Sequence, residues 1–179
     1  MGIPKPLTKG QAPDELHKIY DLMQESIGKM PNIFGVTARF PAALKTLIQF
    51  YDAVMSKGNI EAKYKELAYL KASSINACRY CTSYHTASAK LAGVTDEQIK
   101  ALRFYHNSEA FDEKEKTTIR FADIVTRGAT AVDADVLDYV GKYYSNDEIV
   151  ELTMVIALAN LVNRINDTLK IEPDLGEIK

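Results

Sequence analysis

No proline interrupts the chain between Ala42 and Glu172; all six lie at or before Pro41 or at Pro173. Proline lacks an N–H and its ring collides with the preceding helical turn, so this clean stretch is where helices are expected. Its apolar spacing agrees. After Pro41, which suits a first helical turn, Leu44, Leu47, Ile48, Tyr51, Val54 and Met55 recur at steps of three and four and predict a helix to about Lys57. A second is predicted over 61–75, with Tyr64, Leu67, Ala68 and Leu70 toward a core, and a third from about Cys78 to just before Gly93. Thr95, followed by Glu97 and Gln98, has the pattern of a capping box opening a fourth. Further helices are predicted over 112–127, 136–144 and 145–169, and the last, apolar almost all round, is expected to be central. Gly28, Gly58, Gly93 and Gly128 each follow a helix-like pattern and are expected to end helices in the left-handed conformation. No segment alternates as a strand does and there is no hairpin dipeptide. The chain reads as all-α.

Composition narrows the class further. With 179 residues, 46% hydrophobic and 26% charged, the chain suits one folded domain over 1–179 or two similar halves, able to bury roughly 70% of its unfolded surface. A net charge of −2 without a basic run argues against a nucleic-acid partner. The opening MGIPKPLTKG lacks a secretory apolar region, and Pro6 stands where myristoylation wants Ser or Thr. The longest apolar run, Leu152 to Val162, is about half of the ~20 residues a membrane span needs. A cytoplasmic protein without membrane contact is expected. The stretches beginning at Glu66 and Glu151 also align without gaps, pairing Cys78 with Asn163 and Cys81 with Asn166. Either a degenerate helical repeat or a chance match between two helices gives such an echo.

The chemistry concentrates between Glu66 and His85. Cys78 and Cys81 are the only cysteines. A loop this short gains little from a structural disulfide, so in a cytosolic chain the pair reads as redox-active or metal-binding. His85 follows Cys81 by four residues, which puts both cysteines and the imidazole on one helical face, where the ring can take the Cys81 proton or stabilise its thiolate. Cys78 falls at the expected helix start, where free N–H groups and the dipole favour a thiolate. Cβ atoms three apart on a regular helix are about 5–6 Å from each other, against roughly 3.5–4.5 Å in a disulfide. Joining the two therefore demands local distortion, the mark of an easily reduced bridge.

Glu66 lies on the preceding helix. If its face packs on the cysteine helix it becomes a partly buried carboxylate able to orient His85; the alternative is a surface ion pair with Lys63. Of the ten tyrosines, Tyr80 and Tyr84 stand close enough in sequence to modulate the thiols, and the rest are assigned to packing. His17 and His106 have no ligating neighbours at helical spacing, and Asn163 and Arg164 are expected to satisfy internal hydrogen bonds or a subunit contact. Cys78, Cys81, His85 and Glu66 could fill a tetrahedral zinc shell, but there is no second cysteine pair or second histidine, so neither metal nor cofactor is expected. Thr82 stands where haem attachment requires histidine.

Glu66, eleven intervening residues, Cys78-x-x-Cys81-x-x-x-His85 and the following LAGVTDEQI resemble the alkyl hydroperoxide reductase D-like (AhpD-like) group of the carboxymuconolactone decarboxylase superfamily. MPNIFGVTARFPAALKTLIQFYDAVM is similar to that group's N-terminal helical region, and NLVNRINDTL to its C-terminal Asn-Arg helix. The resemblance implies an AhpD-like helical bundle assembled as a homotrimer or homohexamer, and peroxidase or disulfide-reductase activity. It implies that Cys81 is the peroxide-reacting thiol, activated by His85 with a relay through Glu66, and that Cys78 resolves the sulfenate. A hydroperoxide is then the substrate, and a thioredoxin-like or lipoyl-bearing protein the reductant. Tyr80 departs from the pattern, since well-known members carry histidine there, and a phenol ionising near pH 10 does not shuttle protons at neutrality. Two other classes stay open: a lyase acting on a small lactone acid, and a non-catalytic zinc-binding or interaction module.

Overall fold

A computed structural model describes residues 2–174; residues 1 and 175–179 of the expected domain lie outside the described residues. Every regular element among the described residues is helical. The α-helices are α1 (His17–Ile27), α2 (Asn32–Thr37), α3 (Pro41–Ser56), α4 (Ala62–Ile75), α5 (Arg79–Leu91), α6 (Asp96–Ala101), α7 (Glu113–Gly128), α8 (Ala134–Val140) and α9 (Asn146–Thr168). Capping boxes open three of them, Thr95 with Gln98, Asp112 with Glu115, and Ser145 with Glu148, each satisfying first-turn N–H groups that would otherwise lack partners.

Helices also precede Ala42. Pro31 is the cap of α2 and Pro13 precedes the short 3-10 turn that leads into α1, so these prolines sit at helix starts, where a missing N–H costs nothing. The helix with the most continuous burial is α4, while α9 is also central, packing against α3, α4, α5 and α7. Every residue from Lys65 to Ser73 is buried, and α4 packs against α3, α5, α7 and α9. Although α9 is apolar almost all round, it leaves Val150, Met154 and Leu161 exposed. The expected 136–144 helix stops at Val140 because the chain must turn before Ser145 to cap α9. Gly28, Gly58 and Gly93 are left-handed, but Gly128 is extended at φ −178 and leads into a 3-10 turn.

The two aligned stretches fold differently. The one from Glu66 forms α4, a tight turn and α5, whereas the one from Glu151 is uninterrupted helix within α9. The turn at Asn76–Cys78 is closed by Asn76 N–H to the Ala72 carbonyl and Cys78 N–H to the Ser73 carbonyl, both 3.0 Å, with Ala77 left-handed at φ 55. This turn aims the start of α5 at α9. The largest apolar cluster gathers Ile33, Val54, Ala72, Cys81, Ile156 and Val162, among others, around that junction. A second joins Leu67 and Leu70 of α4 to Ala89, Leu102 and Ile119, and a third seats α1 on α3 through Leu16, Tyr20 and Leu44.

Candidate active site

The turn after α4 makes Cys78 the cap residue of α5, with extended backbone (φ −75, ψ 100), and leaves Cys81 in the first helical turn. The two sulfurs therefore do not sit on one regular helix. Cys78 is off it, and its thiol reaches Cys81 Sγ at 3.0 Å with both cysteines free. The distortion expected of the helix is carried instead by the turn, by Ala77. Both residues are buried, Cys78 at 0% and Cys81 at 1% exposure.

The two thiols are not electrostatically equivalent. The Cys78 thiol donates to Cys81, and that bond together with burial pushes its own ionisation far above the usual thiol range. Cys81 moves the other way. The hydrogen bond from Cys78 holds it below the ordinary thiol value despite its burial, helped by the amides of Asn166 and Asn163. Asn166 Nδ2 lies 3.2 Å from Cys81 Sγ. The first-turn position adds the positive end of the helix dipole. The dipole benefit expected at Cys78 falls instead on Cys81, which lies inside the first turn while Cys78 caps it.

His85 is buried one turn further on. Its Nδ1 is 2.8 Å from Glu66 Oε2, so the carboxylate accepts the Nδ1 proton and leaves the Nε2 lone pair outward. Tyr51 Oη donates toward Nε2 at 3.4 Å. Burial, and next the Glu66 charge, raise the Tyr51 phenol well above its ordinary value, which keeps that proton on oxygen. Tyr69 stacks on the ring with centroids 3.5 Å apart and planes 16° from parallel. The partners of the Cys81 sulfur are the Cys78 thiol and the Asn166 amide, while His85 meets Cys81 across a shared cavity.

That cavity is about 490 Å³, and its floor includes Cys81, His85, Tyr69 and Tyr51. Tyr80 and Tyr84 also line it. The Tyr80 hydroxyl is buried without a protein partner, and burial followed by the Asp174 charge drives its ionisation far up. Tyr84 sits beside the imidazole with ring centroids 5.6 Å apart. Lys63 pairs with Glu115, so Glu66 is left to His85. Asn163 is buried, accepting from Asn76 and donating to Ser73 Oγ at 3.1 Å, while Arg164 is exposed and bonds to Asn160. Among the described residues no group of three or more His, Cys, Asp or Glu side chains is disposed to hold a metal ion, and no helix is long and apolar enough to cross a membrane.

Reading the sequence missed Tyr51, Tyr69 and Asn166. The tyrosines belong to apolar helical stripes, which gave no signal beyond packing. Asn166 carried a faint one, since the gapless alignment had already set it opposite Cys81.

The entirely helical scaffold that carries this buried dithiol and carboxylate-held imidazole recurs in known proteins. Residues 41–123 match the carboxymuconolactone decarboxylase family. YdfG, an uncharacterized protein of Bacillus subtilis, is 23% identical over 127 residues, covering 70% of this chain and 86% of its own. The fold recurs in the AhpD core of an uncharacterized peroxidase-related protein from Ralstonia eutropha, with TM-score 0.85, 19% identity and coverage of 97% of this chain and 91% of that one. It recurs again in the debrominase Bmp8, solved with 2,3,4-tribromopyrrole, with TM-score 0.82, 21% identity and coverage of 97% and 92%. Residues 41–123 thus carry the match to the carboxymuconolactone decarboxylase family, and nearly the whole chain shares the helical fold of AhpD-like peroxidase-related proteins.

Proposed function

We propose that the protein is a thiol peroxidase that cycles Cys78 and Cys81 between dithiol and disulfide. The observation that carries the reading is the 3.0 Å approach of two sulfurs not joined by a disulfide, one of which, Cys81, lines an apolar cavity shared with a Glu66-held His85. The Cys81 thiolate attacks the terminal oxygen of ROOH, the O–O bond breaks, and Cys81 becomes a sulfenic acid as ROH leaves with a proton. His85 Nε2 first takes up the Cys81 proton while Glu66 holds Nδ1–H, and then returns it to the leaving alkoxide, directly or by way of the Tyr51 hydroxyl. Cys78, whose proton stays on sulfur until needed, then attacks the sulfenic sulfur and releases water. An external dithiol, on a thioredoxin-like or lipoyl-bearing protein, restores the pair and is itself oxidised. Tyr80 and Tyr84 tune the site by excluding water from it.

The cycle suits a cytosolic setting, where free thiols are maintained. Assembly as a trimer or hexamer is supported by the exposed stripe of Val150, Met154 and Leu161 on α9, spaced as one helical face. A second reading, reductive dehalogenation as in the debrominase, draws support from the aromatic lining of the cavity. In it Cys81 takes the halogen, the carbon takes a proton, and Cys78 closes the disulfide with loss of halide.

Adding one equivalent of hydroperoxide to reduced protein and counting thiols tests the peroxidase reading. The wild type loses two thiols to one bridge, Cys78→Ser gives one turnover and a trapped sulfenate, and Cys81→Ser consumes no peroxide. Equal, mild effects of both substitutions would remove the scheme.

A further inference from the structure

The catalytic cluster lies within the matched family region, but one wall of the cavity does not. Met23, Ser26 and Ile27 of α1, and Pro31, Ile33 and Phe34 around α2, line it, and all precede residue 41, where the family match begins. α1 is anchored apart from the thiols, whereas α2 shares their apolar cluster through Ile33. Leu16 and Tyr20 pack with Leu44 in their own cluster, and Tyr20 Oη donates to the Leu7 carbonyl at 2.8 Å. Leu47 and Ile48 of α3 continue the wall inward. What reaches Cys81 is thus bounded in part by a surface outside the matched residues 41–123.

That surface is apolar and short of cations. Among the described residues no lysine or arginine lines the cavity, and the one acidic lining residue, Asp52, is exposed and paired with Lys57 at 3.5 Å. Behind His85 stands the Glu66 carboxylate, which adds no net positive charge to the interior. An anionic group carried inside loses its hydration and meets no counter-charge, a penalty that apolar contact does not recover. A molecule as small as hydrogen peroxide leaves the walls uncovered and gains no apolar burial. The rings of Phe34, Tyr51, Tyr69 and Tyr84 offer edges and faces to an aromatic or branched guest, and a volume of about 490 Å³ is in the range that encloses a small organic molecule.

We infer that this cavity binds an uncharged substrate bearing an aryl or branched apolar group, that α1 and α2 set this selectivity, and that hydrogen peroxide and carboxylate-bearing hydroperoxides are disfavoured. As a statement about catalysis it rests on the peroxidase reading; as a statement about binding it does not. Two measurements on the full chain separate these. In the first, thiol loss is timed with cumene hydroperoxide, hydrogen peroxide, and a fatty-acid hydroperoxide as free acid and as methyl ester. Apolar pockets discriminate by about 10- to 200-fold per added methylene, so cumene hydroperoxide should react at least about 100-fold faster than hydrogen peroxide, and the ester about 10-fold faster than the acid. Ile27→Lys, which puts a cation on the half-exposed rim, should narrow the ester-to-acid gap to about 3-fold or less.

In the second, alkylation of Cys81 by iodoacetamide is followed by mass spectrometry with 2-phenylpropan-2-ol or 4-isopropylbenzoate present. The alcohol should slow alkylation and the carboxylate should not. Equal rates for all four peroxides, or equal protection by the two ligands, overturn the inference. Protection by the alcohol alone, with no peroxide consuming thiols, supports the cavity assignment and removes the peroxidase reading.

Discussion

Lys65 and Glu66 are neighbours on α4, yet they serve opposite kinds of buried polar cluster. Lys65 is 2% exposed and its ammonium bonds the Val54 and Lys57 carbonyls and the Glu151 carboxylate. Glu151 in turn accepts from the N–H groups of Asn59 and Ile60. Donors and acceptors balance, and the result is a staple joining α4, α9 and the loop between α3 and α4. Around Glu66 the balance fails. The Tyr69 and Tyr80 hydroxyls and Asn166 Oδ1 are buried without protein partners, and a cavity opens beside Cys81. A saturated polar cluster holds a fold together. An unsaturated one beside open space keeps groups available for a guest, which is how reactive sites differ from buried salt bridges.

Substitutions at either side can break this comparison. The largest effect is expected at His85. His85→Ala should slow peroxide-driven thiol oxidation by about 10²- to 10⁴-fold per folded molecule, alongside a loss of stability from leaving Glu66 buried without its partner. An unchanged rate per folded molecule would make the imidazole a packing residue. Glu151→Gln should act on stability alone, leaving Lys65 buried without its counter-charge at a cost of about 3 kcal/mol in chemical denaturation, with activity per folded molecule unchanged.

The staple also has a pH signature. Burial favours the protonated form of Glu151, but Lys65 and the Asn59 and Ile60 N–H groups outweigh it and hold the carboxyl below its usual range. A depressed folded-state pKa contributes stability that is complete above the unfolded value, about 4.3 for glutamate, and is lost as pH falls through the lower folded value. Wild-type stability should therefore drop through that acidic window by more than that of Glu151→Gln, as read by denaturation at stepped pH.

Asn166 sharpens the comparison on the reactive side. Asn166→Leu removes the donor on Cys81 along with an unpartnered oxygen, so stability should barely move. A hydrogen bond to a charged group is worth about 1.5–3 kcal/mol, and its loss should slow alkylation at neutral pH by about 10-fold or more. In wild type the alkylation rate should rise through an inflection below about 8.5, the ordinary thiol value, and in the variant that inflection should move upward. An unchanged pH profile would assign Asn166 to packing. The smallest effect is expected at the turn, where Ala77→Gly relieves a left-handed residue and should stabilise the protein by roughly 0.5–1 kcal/mol without altering the thiol titration.

Much of the scaffold was legible because helix formation is local. Proline exclusion, apolar spacing and the caps at Thr95 and Ser145 act within a few residues, and α3 to α7 fall close to where the pattern puts them. Cys78, Cys81 and His85 stand within eight positions of one another, so their proximity needed only the geometry of one turn. Other features are set by partners far along the chain. Glu66 meets His85 across nineteen positions and Asn166 meets Cys81 across 85. Periodicity carries no information about such pairs, and so it did not show that α4 is the most continuously buried helix, that Tyr51 and Tyr69 frame the imidazole, or that α1 and α2 wall the cavity. Which sulfur ionises was likewise decided by tertiary packing. A thiol's acidity depends on the donors and burial around it, and those are supplied by whichever helices come to lie beside it once the chain has folded.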